Sequence, residues 1–144
     1  VGRINFYFKD VQRFVIFQKS VKGFIAEIIK IENGRTGEIS VIFCKDDYLL
    51  EINKSFLNHD FFTDIVTFDN SVENEIAGEL YISIDRVKEN SVAYNQKFKV
   101  ELVRVVFHGI LHLLGYHDHT PAEKSVMRGK EDEYLTMFHI ESLY

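Results

Sequence analysis

Apolar residues at positions 21, 24, 25, 28 and 29 recur at the three- and four-residue spacing of one helical face. Residues 20–32 are therefore expected to form an amphipathic helix that stops near Asn33-Gly34. On either side, 4–8 (Ile-Asn-Phe-Tyr-Phe) and 38–43 (Glu-Ile-Ser-Val-Ile-Phe) are rich in β-branched and aromatic residues and read as strands. Residues 46–57 place Tyr48, Leu49, Ile52 and Phe56 on one face of a second, shorter helix. Residues 64–68 and 79–84 are two further strands, and the acidic, turn-like loop 69–77 between them suits a hairpin. Asp85 is placed to cap a helix over about 86–95, and the next helix starts near 98. The only proline, Pro121, fits the first turn of a last helix, with Thr120 as its cap and Glu123 at the capping-box position.

Helices and strands are interspersed without a repeat or a linker. The expectation is an α/β or α+β domain with about four strands and five helices. The 144 residues, 46% of them hydrophobic, suit one domain over 1–144 with one sizeable core. No apolar run approaches the ~20 residues needed to span a bilayer, and residues 1–20 lack the order of a signal peptide. The expected location is therefore cytoplasmic, with no membrane partner. The lone Cys44 cannot form an internal disulfide, and within Val41-Ile42-Phe43-Cys44 it reads as core packing. A net charge of −5 argues against a protein that coats itself in nucleic acid, although Lys97, Lys99 and Arg104 can make a local basic field.

The chemistry concentrates in His108-Gly-Ile-Leu-His112-Leu-Leu-Gly115-Tyr116-His117-Asp118-His119, which holds four of the six histidines. Residues four apart on a helix share a face about 6 Å apart along the axis, so His108 and His112 can converge on one ion. From Val100 to Leu114 the polar residues Glu101, Arg104, His108 and His112 form one stripe within roughly 80° on an otherwise almost wholly apolar helix. Such a stripe is expected to face a polar pocket, because buried imidazoles without partners are costly. Gly115 is the natural stop, and a third ligand after the turn would leave the fourth position of a tetrahedral zinc open, as catalytic sites do. Spacing leaves that third ligand open among His117, Asp118 and His119. His139 reads as a surface or packed residue.

This segment resembles the YbeY family of zinc-dependent endoribonucleases, which act in ribosomal RNA maturation. The family signature His-Gly-x-Leu-His-Leu-x-Gly-Tyr-Asp-His is matched over nine positions by His108 through Tyr116. The resemblance implies an α+β fold, in which a small mixed four-stranded sheet packs with about five helices and the metal lies in a cleft beside the sheet on the His-bearing helix, and it implies a zinc ion held by His108 and His112. A gapless register, supported by Met127 and Glu131 at family-like distances, puts Asp118 in the third place, with His119 and then His117 as alternatives. Upstream, Asn53, the segment Asp60–Phe68 and Gly78–Ser83 look like further family segments. One departure concerns mechanism: the family commonly has Tyr-Arg where this chain has Phe56-Leu57. Arg104, one turn before His108, is the candidate to supply the missing positive charge, and a salt bridge to Glu101 is the plainer reading of it.

The function so implied is metal-assisted hydrolysis of single-stranded RNA phosphodiesters in ribosomal RNA maturation and ribosome quality control. Arg104, His108 and His112 are the candidate catalytic residues, with Arg104, Lys97 or Lys99 on phosphates and Tyr116 stacking on a base. Ribosomal RNA and a small ribosomal subunit protein are the implied partners. A zincin-like metalloprotease is the first rival, but zincins need a glutamate after the first histidine and here that residue is Gly109. The second rival is a non-catalytic ribosome assembly factor with a structural metal.

Overall fold

The computed structural model describes residues 2–13 and 18–138, so His139 lies outside the described residues. Strand β1 (Arg3–Phe8) leads to helix α1 (Gln18–Ile31), strand β2 (Arg35–Cys44), helix α2 (Asp46–Leu57), strand β3 (Ile65–Asp69) and strand β4 (Glu75–Ser83). Three helices follow, α3 (Ile84–Ala93), α4 (Phe98–Leu113) and α5 (Pro121–Phe138). The strands form one mixed sheet in the order β1-β2-β4-β3, parallel except for the β3–β4 hairpin. The α+β expectation holds.

Alternation along each strand assigns the two faces of the sheet. Ile39, Val41 and Phe43 of β2 and Leu80 and Ile82 of β4 enter the larger core with α1, α4 and α5. Cys44 and Val66 point to the other face, where Leu49 and Ile52 of α2 cover them. Helices thus lie on both faces. Cys44 is fully buried, and burial pushes its thiol pKa up to about 12, which keeps it protonated and inert.

Local signals explain most of the boundaries. Helix α1 ends before Asn33, whose φ of 69° is a left-handed conformation that asparagine tolerates. At α5 the capping box forms reciprocally: the Glu123 amide donates to Thr120 Oγ1 at 3.1 Å, and the Thr120 amide donates to Glu123 Oε1 at 3.0 Å. The cap of α3 differs from expectation. Ser83, not Asp85, accepts from the Arg86 amide, while Asp85 Oδ2 accepts from the Asp46 amide at the start of α2. A carboxylate answers the orphan donors of a neighbouring helix equally well, so proximity in space decided the matter. Strand β4 also begins earlier than expected, at Glu75, because β2 supplies pairing partners at Arg35 and Thr36.

Helix α4 is the centre of the molecule, and from Glu101 to Leu113 every residue is buried except His108 and His112. Gly109 lets it approach the sheet. A Cβ there would lie 2.7 Å from Ile65 Cδ1 and 2.8 Å from Leu80 Cδ1. No helix among the described residues is long and apolar enough to cross a membrane.

Candidate metal centre

The end of α4 both stops the helix and builds the site. Gly115, at φ 100°, donates to His112 O, and the Tyr116 amide donates to Leu111 O, each at 3.0 Å, the paired bonds of a Schellman cap. This turn brings the Tyr116 carbonyl within 3.0 Å of His112 Nδ1. A carbonyl can only accept, so His112 carries its proton on Nδ1 and leaves a lone pair on Nε2.

His108 is fixed in the same way from another helix. Its Nδ1 lies 2.6 Å from Glu131 Oε2, while Arg104 Nη1 donates to Glu131 Oε1 at 3.0 Å. With the Arg104 guanidinium on its other oxygen, this carboxylate serves as acceptor, so His108 Nδ1 is the donor and its Nε2 also turns toward the site. A carboxylate behind a histidine is the arrangement that orients imidazole toward a metal and raises its basicity.

The free sides converge. His108 Nε2 lies 3.0 Å from His112 Nε2 and 3.2 Å from Asp118 Oδ2, and His112 Nε2 lies 3.5 Å from the same oxygen. Among the described residues His108, His112 and Asp118 are the group whose donor atoms come together in this way. Neighbouring donors on a tetrahedral zinc with bonds of about 2.0–2.1 Å stand about 3.3–3.4 Å apart, so the triangle suits one face of such a site. Two lone pairs and a carboxylate at this range repel one another unless a cation lies among them. Protonation is the other way to supply that charge. Burial works against an imidazolium at His108, yet Glu131 and Asp118 outweigh it and raise its pKa. Burial, together with the charge of His108, lowers the pKa of His112.

The triangle stands where two clefts meet, since His108, Asp118 and Asp64 line both. The first cleft, about 370 Å³, runs between α4 and α5 past Glu101, Arg104, Lys124 and Arg128. The second, about 440 Å³, runs past Leu57, His59, Phe61, His112 and His119. The polar stripe expected on α4 therefore does face polar space. Burial raises the pKa of Asp64, whose Oδ2 accepts from Asn90 Nδ2 at 3.2 Å. Burial likewise raises that of Glu101, and its Oε1 has no hydrogen-bond partner among the described residues.

Several expected residues take other places. Arg104 pairs with α5, at 3.0 Å to Glu131 and 2.8 Å to Asp132, rather than with Glu101 on its own helix. Docking of α5 brings two carboxylates closer to the guanidinium than the sequence neighbour does. Lys97 and Lys99 lie near the start of α4, roughly 14–17 Å before His108 at 1.5 Å per residue, and line neither cleft. Tyr116 is half-buried and its hydroxyl donates to Glu32 Oε1 at 2.8 Å, so it packs instead of offering an open stacking face. His117 and His119 are stacked on each other with ring centroids 6.0 Å apart, and His119 is exposed.

Sequence reasoning missed Glu131 as the support of His108, Lys124 and Arg128 as cleft cations, and Glu32. The Glu32 carboxylate accepts from the hydroxyls of both Tyr116 and Tyr134 and pairs with Lys130 at 3.5 Å. It thereby ties the turn that orients His112 to α5.

Comparison with known proteins gives consistent results. The model of the family described as Endoribonuclease YbeY matches residues 8–139. Proteins named Endoribonuclease YbeY from Flavobacterium psychrophilum and Christiangramia forsetii are 48% and 44% identical to this chain. The first alignment covers 86% of this chain and 89% of the relative, the second 97% of each. The solution structure of TM1509 from Thermotoga maritima superimposes with a TM-score of 0.69 at 31% identity, covering 94% of this chain and 89% of that one.

Proposed function

This chain belongs to the YbeY endoribonuclease family, and on that premise we propose that it is a metal-dependent endoribonuclease. Its substrate is single-stranded RNA, and its work is ribosomal RNA maturation and ribosome quality control, in the cytoplasm where ribosomes mature. The observation that carries the reading is the triangle of His108 Nε2, His112 Nε2 and Asp118 Oδ2 with both Nδ1 atoms already committed as donors. We take these three as the ligands and zinc as the ion, since two imidazoles and a carboxylate are an ordinary zinc donor set. When bound, the metal supplies Lewis-acid stabilisation of phosphoryl charge and activates water near neutral pH.

The chain's own residues do the rest. Glu131 and the Tyr116 carbonyl hold the two imidazoles in their tautomers. Arg104, clamped by Glu131 and Asp132, acts by positioning Glu131 and adds its charge to the wall of the first cleft. Lys124 and Arg128 on the same wall take over the phosphate-holding role for which Leu57, in place of an arginine, is unfit. Asp64, its pKa raised by burial, faces both clefts and is placed to hold a proton beside the reacting phosphate. A small ribosomal subunit protein is the partner we propose to bring the RNA. We take the chain as one catalytic domain, a reading supported by the contiguous core.

Gly109 speaks against the zincin-like alternative twice over. It carries no base, and a side chain there would enter the sheet rather than the site. The test is elemental analysis of the purified chain and of His112→Ala and Asp118→Ala, with single-stranded RNA cleavage assayed on the same samples. About one zinc per chain is expected, lost with cleavage in both variants. Metal without cleavage would replace the nuclease with the assembly-factor reading, and a wild type free of metal would overturn both.

A further inference from the structure

The second cleft has a property the reaction itself does not require: it exposes aromatic surface beside the triangle and has no lysine or arginine among the described residues that line it. Phe61 is 55% exposed, and its ring stacks on His59 at 5.1 Å with an interplanar angle of 20°. Its aromatic neighbours in the chain are otherwise engaged. Phe56 packs edge-on against Phe68, and Phe62 lies under the Arg86 guanidinium at 4.8 Å.

The pair is held in place by its loop. Asn58 takes a left-handed conformation at φ 56° to end α2, and the His59 amide then donates to Asn53 O at 3.0 Å. The side chain of Asn53, only 2% exposed, donates from Nδ2 to Phe61 O at 3.0 Å. One buried residue therefore anchors both aromatic positions. An exposed hydrocarbon face fixed in this way is set up to receive a flat apolar partner without paying for loop ordering.

We propose that the His59–Phe61 pair is a stacking platform for one unpaired nucleobase of the RNA strand whose phosphodiester lies at His108, His112 and Asp118. The occupant follows from continuity, because the same cleft is walled by His108, His112 and Asp118, so a strand held there must place a neighbouring nucleotide along it. Stacking accepts any base, since each has a π face, and it needs no cation. A duplex cannot offer an unstacked base, so the platform makes the site selective for single strands. This inference rests on the endoribonuclease reading.

The test crosses enzyme variants with substrate variants. Zinc-loaded wild type, Phe61→Leu, Phe61→Tyr and Phe62→Ala would cleave a set of single-stranded RNA oligomers, each lacking the base at one position. For the wild type, removal of one base near the cut is expected to raise KM about tenfold, in keeping with base–aromatic stacking. Phe61→Leu, which keeps apolar bulk, should be weak on intact RNA and indifferent to that deletion, whereas Phe61→Tyr and Phe62→Ala should keep the penalty. A wild type indifferent to every deletion, or a Phe61→Leu enzyme that keeps the penalty, overturns the platform and leaves the nuclease standing. A metal-loaded wild type that cleaves none of the oligomers overturns the nuclease reading and the platform with it.

Discussion

The first cleft is organised around one buried carboxylate, Glu131, to which Arg104, Arg128 and His108 all turn, whereas the second has no lysine or arginine on its described lining and is organised around a buried amide, Asn53. Both reach the triangle, sharing His108 and Asp118, while His112 lines the second alone. The difference shows how a chain of net charge −5 can handle a polyanion. Positive charge is needed only where phosphates pass, and α5 supplies it locally as Lys124 and Arg128. Along the other wall the strand is met by its bases, to which charge is irrelevant.

Breaking the first cleft should have the largest effect. In Glu131→Ala the Arg104 guanidinium, whose side chain is 9% exposed, loses its most buried partner and His108 loses the acceptor for Nδ1. Removing one member of a buried ion pair costs about 3–5 kcal/mol, and loss of a carboxylate behind a metal-binding histidine weakens metal affinity about 10–100-fold. Thermal unfolding and zinc competition measure the two effects separately. Unchanged zinc affinity in a folded Glu131→Ala chain would show that His108 needs no support from α5.

The two clefts should also separate by salt. Each phosphate that a single-stranded complex no longer neutralises reduces the slope of log K against log salt by about 0.7. Lys124→Ala and Arg128→Ala are each expected to flatten the slope by about that amount, with the same loss for any sequence. Phe61→Leu should weaken binding at every salt concentration and leave the slope as it is. RNA titrations at several salt concentrations decide this, and a flattened slope in Phe61→Leu would remove the distinction between the clefts.

How much of this is legible in the sequence follows from how far apart the interacting residues are. The stripe on α4, the Gly115 stop and the Thr120–Glu123 capping box depend on neighbours within a few residues, so spacing and residue type are enough to find them. Asp118 needs more, since three adjacent residues have equivalent spacing, and the family register singles it out where periodicity does not. Glu131 escapes as a support for His108 because nothing in α5 alone shows which of its faces docks on α4. Glu32 is still less visible, with its tyrosine partners 84 and 102 residues away. The start of β4 looks like loop in the sequence for the same reason: Glu75 and Ile76 become strand only by pairing with Arg35 and Thr36. The assignment of cleft charge to Lys97 and Lys99 fails because nearness in sequence along a helix is not nearness to the same cleft.

The smallest effect concerns the device that serves the second cleft from behind. Burial alone would raise the pKa of Glu32, but hydrogen bonds from Tyr134 and Tyr116 and the charge of Lys130 more than offset it, so its folded pKa lies below the ordinary carboxylate value. A group whose pKa is depressed by folding contributes stability above its unfolded pKa, and that contribution is lost as the pH falls through the folded value. In Glu32→Gln this part of the acid sensitivity should disappear. The variant should lose about 1 kcal/mol near neutral pH, the net worth of a weakened hydrogen bond, and its melting temperature should draw level with wild type at acid pH. Because Tyr116 presents its carbonyl to His112 from the same turn, zinc affinity at neutral pH should fall slightly as well. Melting curves from neutral to acid pH measure the first effect, and a constant gap between the two proteins would mean that Glu32 acts through packing and not through its charge.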